Sequence, residues 1–226
     1  MKKLIIFGNG KIAEVVHYFF KHHSDYSVEA FTVDSEYMQS DVFCKIPVVP
    51  FEHIEEHYLP NDYTVFVAIG YQQMNKLRAE KLQEVKSKGY ATTSYIHPNS
   101  GTPSDLMLGE NCFIMNQVNI HPCVKLGHNV FVWSGAMIGH HTTIGDHTWI
   151  TSSANISGNV TVGSHCFFAV NATIGHGIQL GSACFLGANA LVTKGIPDGT
   201  VVIAESDKIF RLNSEQFIRF AKFDSI

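Results

Sequence analysis

The sequence predicts a mixed fold. A small α/β domain spans residues 1–97, a parallel β solenoid of triangular cross-section spans 98–204, and a tail with a short helix spans 205–226. Three observations carry this. From Leu108 to Val192 every sixth residue is apolar without a break. Gly follows that residue at 109, 127, 139, 145, 163, 175, 181 and 187. The first hundred residues instead alternate short apolar runs with amphipathic stretches, the pattern of strands and helices in turn.

Residues 3–7 (Lys-Leu-Ile-Ile-Phe) read as a buried strand. Two lysines before an apolar run resemble the start of a signal peptide, but the run meets Gly8-Asn9-Gly10 and no small-residue cleavage site. A helix follows over 14–21, then a strand over 27–33 that ends at Asp34. Further strands are expected at 46–49 and 64–69, the latter ending at Gly70, and a helix over 73–88. Gly8-x-Gly10-x-x-Ala13, after a strand and opening a helix, is the turn that cradles phosphate on backbone N–H groups. A tight turn without a ligand reads the same way. Asp34 sits where a carboxylate accepts from a ribose or base. The head is thus a Rossmann-like half-domain, too short for two mononucleotide units.

A period of six fits neither a helix nor a hairpin sheet. It fits a chain wound round a prism, three short strands per coil, one aliphatic residue of each hexad pointing inward. At 18 residues per coil the run makes about five coils, stacked as parallel strands. Gly after the inward residue is expected to supply the positive φ of a sharp corner. Two residues before it the side chain is small or apolar, as at Cys112, Ala136, Ala154, Cys166 and Cys184. Asn155, Asn159 and Asn171 begin glycosylation-like triplets and read as corner residues. Residues 214–223 form an amphipathic pattern, with Phe217 and Phe220 or Ala221 on one face, suited to capping the prism or bracing a neighbouring subunit.

Composition narrows the partners. The 226 residues are 45% hydrophobic with a net charge of −4 and no Lys/Arg cluster, so no nucleic acid or membrane partner is expected. The five cysteines are odd in number and unpatterned, which suits a cytoplasmic protein. Cys112, Cys166 and Cys184 share one inward column and pack as small buried groups, so no disulfide or metal is expected there.

Eight of the thirteen histidines lie between 97 and 176. His140 and His176 share a corner column two coils apart, with Gly158 between them. They would be about 10 Å apart along the axis, too far to share a metal ion. His147 and His165 form a second column, which no carboxylate or Cys completes; exposed stacked imidazoles account for it. His140 beside the slot at Gly158 is a candidate general base, with His141 placed to orient it; an exposed solenoid histidine is the alternative.

The combination of a short nucleotide-binding head, Val67-Ala-Ile-Gly70 with Arg78 eight residues on, and Ile138-Gly-His140-His-Thr-Thr-Ile-Gly in a hexapeptide repeat resembles a bacterial family. These are the sugar acyltransferases that include the bacillosamine and perosamine N-acetyltransferases and the sialic-acid O-acetyltransferase group. The resemblance spans nearly the whole chain. It implies a left-handed parallel β-helix, a homotrimer, and His140 as catalytic base. It implies acetyl-CoA between adjacent subunits, along Gly158, with Gly187, Ala188 and Lys194 by its distal half and no metal. It implies a nucleotide sugar, UDP- or dTDP-linked, held around Gly8, Asn9, Gly10, Lys11, Ile12, Asp34, Gly70 and Tyr71. Three positions depart from the family. Its first turn usually reads Gly-x-Gly-Gly-His. The acidic residue often found after the base is His141 here. A second His that some members place nine residues after the base is Trp149, which is counted with the coenzyme site; His147 is a nearby substitute.

The reaction so implied is acetyl transfer from acetyl-CoA to the amine of a nucleotide-linked amino-deoxysugar, without an acyl-enzyme. The alternatives are O-acetylation of a sugar hydroxyl, a different acyl-CoA donor, or a non-catalytic scaffold.

Overall fold

The computed structural model describes residues 1–221. The head is one sheet with a helix on each face. Strands β1 (Lys2–Phe7), β2 (Tyr26–Val33), β3 (Val42–Phe43), β4 (Ile46–Pro50), β5 (Thr64–Val67) and β6 (Ala91–Thr92) lie in the order β3-β4-β2-β1-β5-β6. All pairs are parallel except β3 with β4. Successive side chains of a strand point to opposite faces. Leu4 and Ile6 therefore join Ala13, Val16 and Phe20 of α1 (Lys11–His23), while Ile5 and Phe7 join Leu82 and Val85 of the second long helix, Lys76–Ser87. The first helix starts three residues before its predicted start, directly at the glycine turn. The second starts three residues late, because Gln73, Met74 and Asn75 all take positive φ and wind the wrong way for a helix.

The repeat folds as its period requires. A two-residue strand ends on every inward residue from Leu108 to Val192. Parallel pairing joins positions 18 apart, as in Phe131↔Trp149 and Ile138↔Ile156. Three sheets result. The head-facing sheet carries an outward aromatic column, Tyr95, Phe113, Phe131, Trp149, Phe167 and Phe185. The second holds Asn119–Ile120, Met137–Ile138, Asn155–Ile156, Thr173–Ile174 and Leu191–Val192, and the third runs from Met107–Leu108 to Gln179–Leu180. The first strand of the head-facing sheet is Tyr95–Ile96, two residues ahead of the boundary at 98.

The glycines differ from expectation. Positive φ falls three residues after each inward residue from Leu108 to Leu186, at Asn111, Asn129, His141, His147, Asn159, His165 and Asn171 among others, not at the glycine directly following. Asn and His tolerate that conformation better than most side chains. Asn159 and Asn171 are thus corner residues, whereas Asn155 lies in a strand. The following glycine is needed for closeness: a Cβ on Gly139 would lie 2.4 Å from the Gly158 nitrogen, and one on Gly145 2.6 Å from the Gly163 carbonyl carbon. At these two corners the backbone of the next coil leaves no room for a side chain.

Phe66 and Phe20 of the head pack on Phe113, Phe131 and Tyr95, so head and coil share one apolar core. The tail helix, Ser214–Phe220, begins with a reciprocal cap between Asn213 and Gln216. Its Phe217, Ile218 and Phe220 remain exposed, so it does not close the prism of its own chain; the expected helix's last two residues, 222 and 223, lie outside the described residues. Among the described residues no helix is long and apolar enough to cross a membrane.

Candidate active site

The candidate site residues fall mainly in two places, a cleft in the head and the prism edge opposite the head-facing sheet. The first is in the head. Gly8 has φ +127°, and a Cβ there would press 2.9 Å from the Ala68 carbonyl oxygen, so the turn between β1 and α1 requires glycine. Gly10 caps the helix without a side-chain bond, and the first helical bond is Glu14 N–H to Gly10. The N–H groups of Lys11, Ile12 and Ala13 have no acceptor among the described residues and stand at the positive end of the helix. Gly8, Asn9, Gly10, Lys11, Ile12, Asp34 and Gly70 line one cleft of about 660 Å³ with Tyr37, Gln72 and Lys81. Asp34 is engaged: Lys81 Nζ sits 2.9 Å from its carboxylate. Tyr71 stands outside the cleft, against Phe167 at 4.6 Å and Trp149 at 5.6 Å.

The second place is the corner between the second and third sheets, the edge opposite the head-facing sheet. His140 is exposed there, and its ring lies over Gly158. An ideal Cβ on Gly158 would be 2.6 Å from His140 Nε2, so the slot foreseen at Gly158 is the seat of the imidazole itself. His140 Nδ1 meets His141 Nδ1 at 3.1 Å. For Nε2 to accept a proton, His140 must carry its hydrogen on Nδ1 and donate it to His141. Because the His140 ring lies over Gly158, its centroid comes within 6.0 Å of that of His176, far closer than the axial spacing implied. Lys194, one coil further, is exposed on this same column.

The remaining coenzyme candidates are not brought to this corner. Gly187 and Ala188 lie at the other edge of the second sheet. Gly187 is buried, its N–H on Val202, while Ala188 is exposed. Trp149 is 2% exposed, stacked 4.9 Å from Phe131 beneath the head. Its indole has no face left for a coenzyme. His147 is likewise turned to the head, its ring 4.7 Å from His165. These two imidazoles are partly buried, not exposed. Burial, then the neighbouring His165, pulls the His147 pKa down to about 4.

The hub of this second column is Arg78, which the sequence marks only as part of the head motif, with no role foreseen. It is wholly buried. Nε donates to Asn129 Oδ1, Nη1 to the Gly70 carbonyl and Asn75 Oδ1, and Nη2 to the carbonyls of Asn129 and His147. All donors of the guanidinium are used without a carboxylate. The cation also lies 4.6 Å from the Phe131 ring and 5.0 Å from that of Trp149. Burial lowers its pKa to about 9. Asn111 extends the network by bonding both backbone groups of Val67. Besides the Gly70-to-Arg78 spacing of the head motif, the sequence signal was four corner residues, Asn111, Asn129, His147 and His165, at 18-residue steps.

Comparison with known proteins fits this geometry. Residues 3–85 match the family model of the PglD N-terminal domain, and residues 106–140 that of the bacterial transferase hexapeptide; together they span more than half the chain. The chain thus joins a PglD-type N-terminal domain to bacterial transferase hexapeptide repeats. No curated protein gives a significant match. Among solved structures, the acetyltransferase domain of PglB from Neisseria gonorrhoeae is 22% identical with a TM-score of 0.80, covering 93% of this chain and 100% of that one. PerB from Caulobacter crescentus, in complex with CoA and GDP-perosamine, is 23% identical with a TM-score of 0.79, covering 93% and 98%. WeeI from Acinetobacter baumannii is 18% identical with a TM-score of 0.70, covering 93% and 100%. The fold is a PglD-type α/β head on a left-handed parallel β-helix.

Proposed function

We propose that this protein transfers an acetyl group from acetyl-CoA to the amine of a nucleotide-linked amino sugar, with His140 as general base. The observation that carries this is the seat at Gly158: an exposed imidazole held with Nε2 over a missing side chain. The amine nitrogen attacks the thioester carbonyl carbon. As the C–N bond forms, the amine proton passes to His140 Nε2, directly or through a water. The C–S bond then breaks, and the thiolate leaves as free CoA once protonated from the imidazolium. The Gly158 N–H has no acceptor among the described residues and is free for the tetrahedral oxyanion. No acyl-enzyme is needed: burial holds the Cys166 thiol near pKa 12, and the exposed Cys123 makes no hydrogen bond to a histidine among the described residues.

The site works between copies of the chain. In one chain the head cleft and His140 lie on opposite sides of the prism, so a head serves the His140 of a neighbour in a homotrimer. The head cleft binds the nucleotide, and that remote binding positions the sugar amine. Asp34, paired with Lys81, faces the ribose or base, and Lys11 with the free N–H groups faces the diphosphate. The co-substrate lies along the second sheet, between the Gly158–Lys194 column and the edge bearing Gly187 and Ala188. UDP and dTDP are the expected nucleotides. PerB is named with GDP-perosamine, so GDP belongs in the test.

Thermal shift with acetyl-CoA and with UDP-, dTDP- and GDP-amino sugars tests this. Saturating ligand at about 100 times Kd stabilises by about 2.7 kcal/mol, a readily measured rise in Tm. Both ligand classes should raise Tm, and the mixture should yield a sugar heavier by one acetyl. Indifference to acetyl-CoA means a scaffold. Product from a hydroxyl sugar and none from the amine means O-acetylation.

A further inference from the structure

We propose that His176 is a second catalytic residue of this transfer, an N–H donor to the thioester oxygen as it becomes an oxyanion. The inference rests on the acetyltransfer reading. Pro122, His140, Gly158, His176 and Lys194 form one corner column at 18-residue steps. Only Gly158 lacks a side chain, so the His140 ring settles over it and meets the His176 ring across a narrow gap, 6.0 Å between centroids and tilted 52°. His140 presents Nε2 to that gap, because Nε2 is the atom nearest the absent Gly158 Cβ. Nδ1 is occupied by His141.

His176 is flanked by Gly175 and Gly177, the latter with φ +69°, and it is exposed. Nothing but the gap engages its ring: its one aromatic neighbour is His140, and its side chain makes no hydrogen bond among the described residues. It also stands on the Lys194 side of the gap. A co-substrate whose phosphates reach toward that cation brings its thioester oxygen past His176 to the solvent side of the two rings, and the amine meets His140 beside it. The two imidazoles divide the work: His140 takes the amine proton, and His176 donates a hydrogen bond without losing its proton, so atoms and charge balance as in the direct transfer. His147 plays no such part, since its ring faces the head.

The test compares His176→Ala and His176→Gln with the parent in acetyl transfer, with kcat and KM for acetyl-CoA read separately. Loss of one oxyanion donor lowers rate about 10²- to 10³-fold. His176→Ala should lose about 10²-fold in kcat with KM within about threefold. His176→Gln keeps an N–H donor and should recover at least tenfold of that loss, with Tm unchanged in both. His176→Ala within twofold of the parent kcat overturns the proposal, as does equal loss in both variants with a lowered Tm. An inactive parent overturns the underlying reading and this inference with it; an active parent beside an indifferent His176→Ala overturns this inference alone.

Discussion

Two columns of histidine climb the same prism at the same 18-residue step, and they have opposite fates. One column, His140 to His176, stands at the edge farthest from the head. Its rings are exposed and face a gap. The other, His147 and His165 above Asn111 and Asn129, lies under the head and is absorbed into the Arg78 network. Asn129 shows how completely. Its Oδ1 takes bonds from Arg78 and Asn111, so its amide N–H is left to meet His147 Nδ1 at 3.0 Å. His147 therefore carries its proton on Nε2 and stays neutral. Spacing alone does not separate a structural histidine from a chemical one. What the rest of the chain lays over the column does.

The comparison breaks most visibly at its ends. His140→Ala removes the proposed base and should lower kcat on the order of 10³-fold, within the range of general-base effects, with Tm unchanged. Arg78→Met does the reverse. It leaves the acceptors at Gly70, Asn75, Asn129 and His147 buried without their donor, and should cost on the order of 3 kcal/mol or more in a denaturant melt. Loss of activity there should track loss of fold. If Arg78→Met is stable while His140→Ala unfolds the protein, the two columns have been assigned the wrong way round.

Gly158→Ala sharpens the first column. Its new Cβ would sit 2.6 Å from His140 Nε2, and the ring must swing away. A mobile ring tip yields cheaply, so Tm should hold while kcat falls about 100-fold, the scale expected of a displaced catalytic group. The second column gives the smallest effect, one of pH. Folding holds the His147 pKa near 4, against 6.5 as the ordinary value. Between these values the unfolded chain binds the extra proton, so stability falls as pH drops from about 6.5 toward 4 and is unaffected above. His147→Asn, which keeps a residue suited to the left-handed corner, should flatten that slope in Tm measured from pH 7 to pH 5. An unchanged slope would mean that another group causes it.

The coil was legible because a hexad repeat states its own geometry: each inward residue from Leu108 to Val192 ends a strand. The seat of His140 was half legible. Gly158 marked a missing side chain, but the repeat gives axial distances only, so the approach of the His140 ring over it toward His176 was hidden. Gly139 was foreseen as a corner and misread in cause, because backbone crowding from the next coil is not a property of one coil. Arg78 was unreadable as a hub. Its acceptors come from Gly70, Asn75, Asn129 and His147, and no local pattern joins them. The same holds for Trp149: a solenoid face is exposed or buried according to what docks on it, and here the head docks on the aromatic column.

The central claim is that the imidazole over Gly158 removes the proton from a sugar amine. The most direct measurement is the rate of acetyl transfer from acetyl-CoA to a nucleotide amino sugar, followed by product mass, for the parent and His140→Asn side by side. The account predicts a product one acetyl heavier from the parent, and a rate reduced on the order of 10²- to 10⁴-fold in the variant with its fold intact. A His140→Asn protein that acetylates the same sugar at the parent's rate would contradict it.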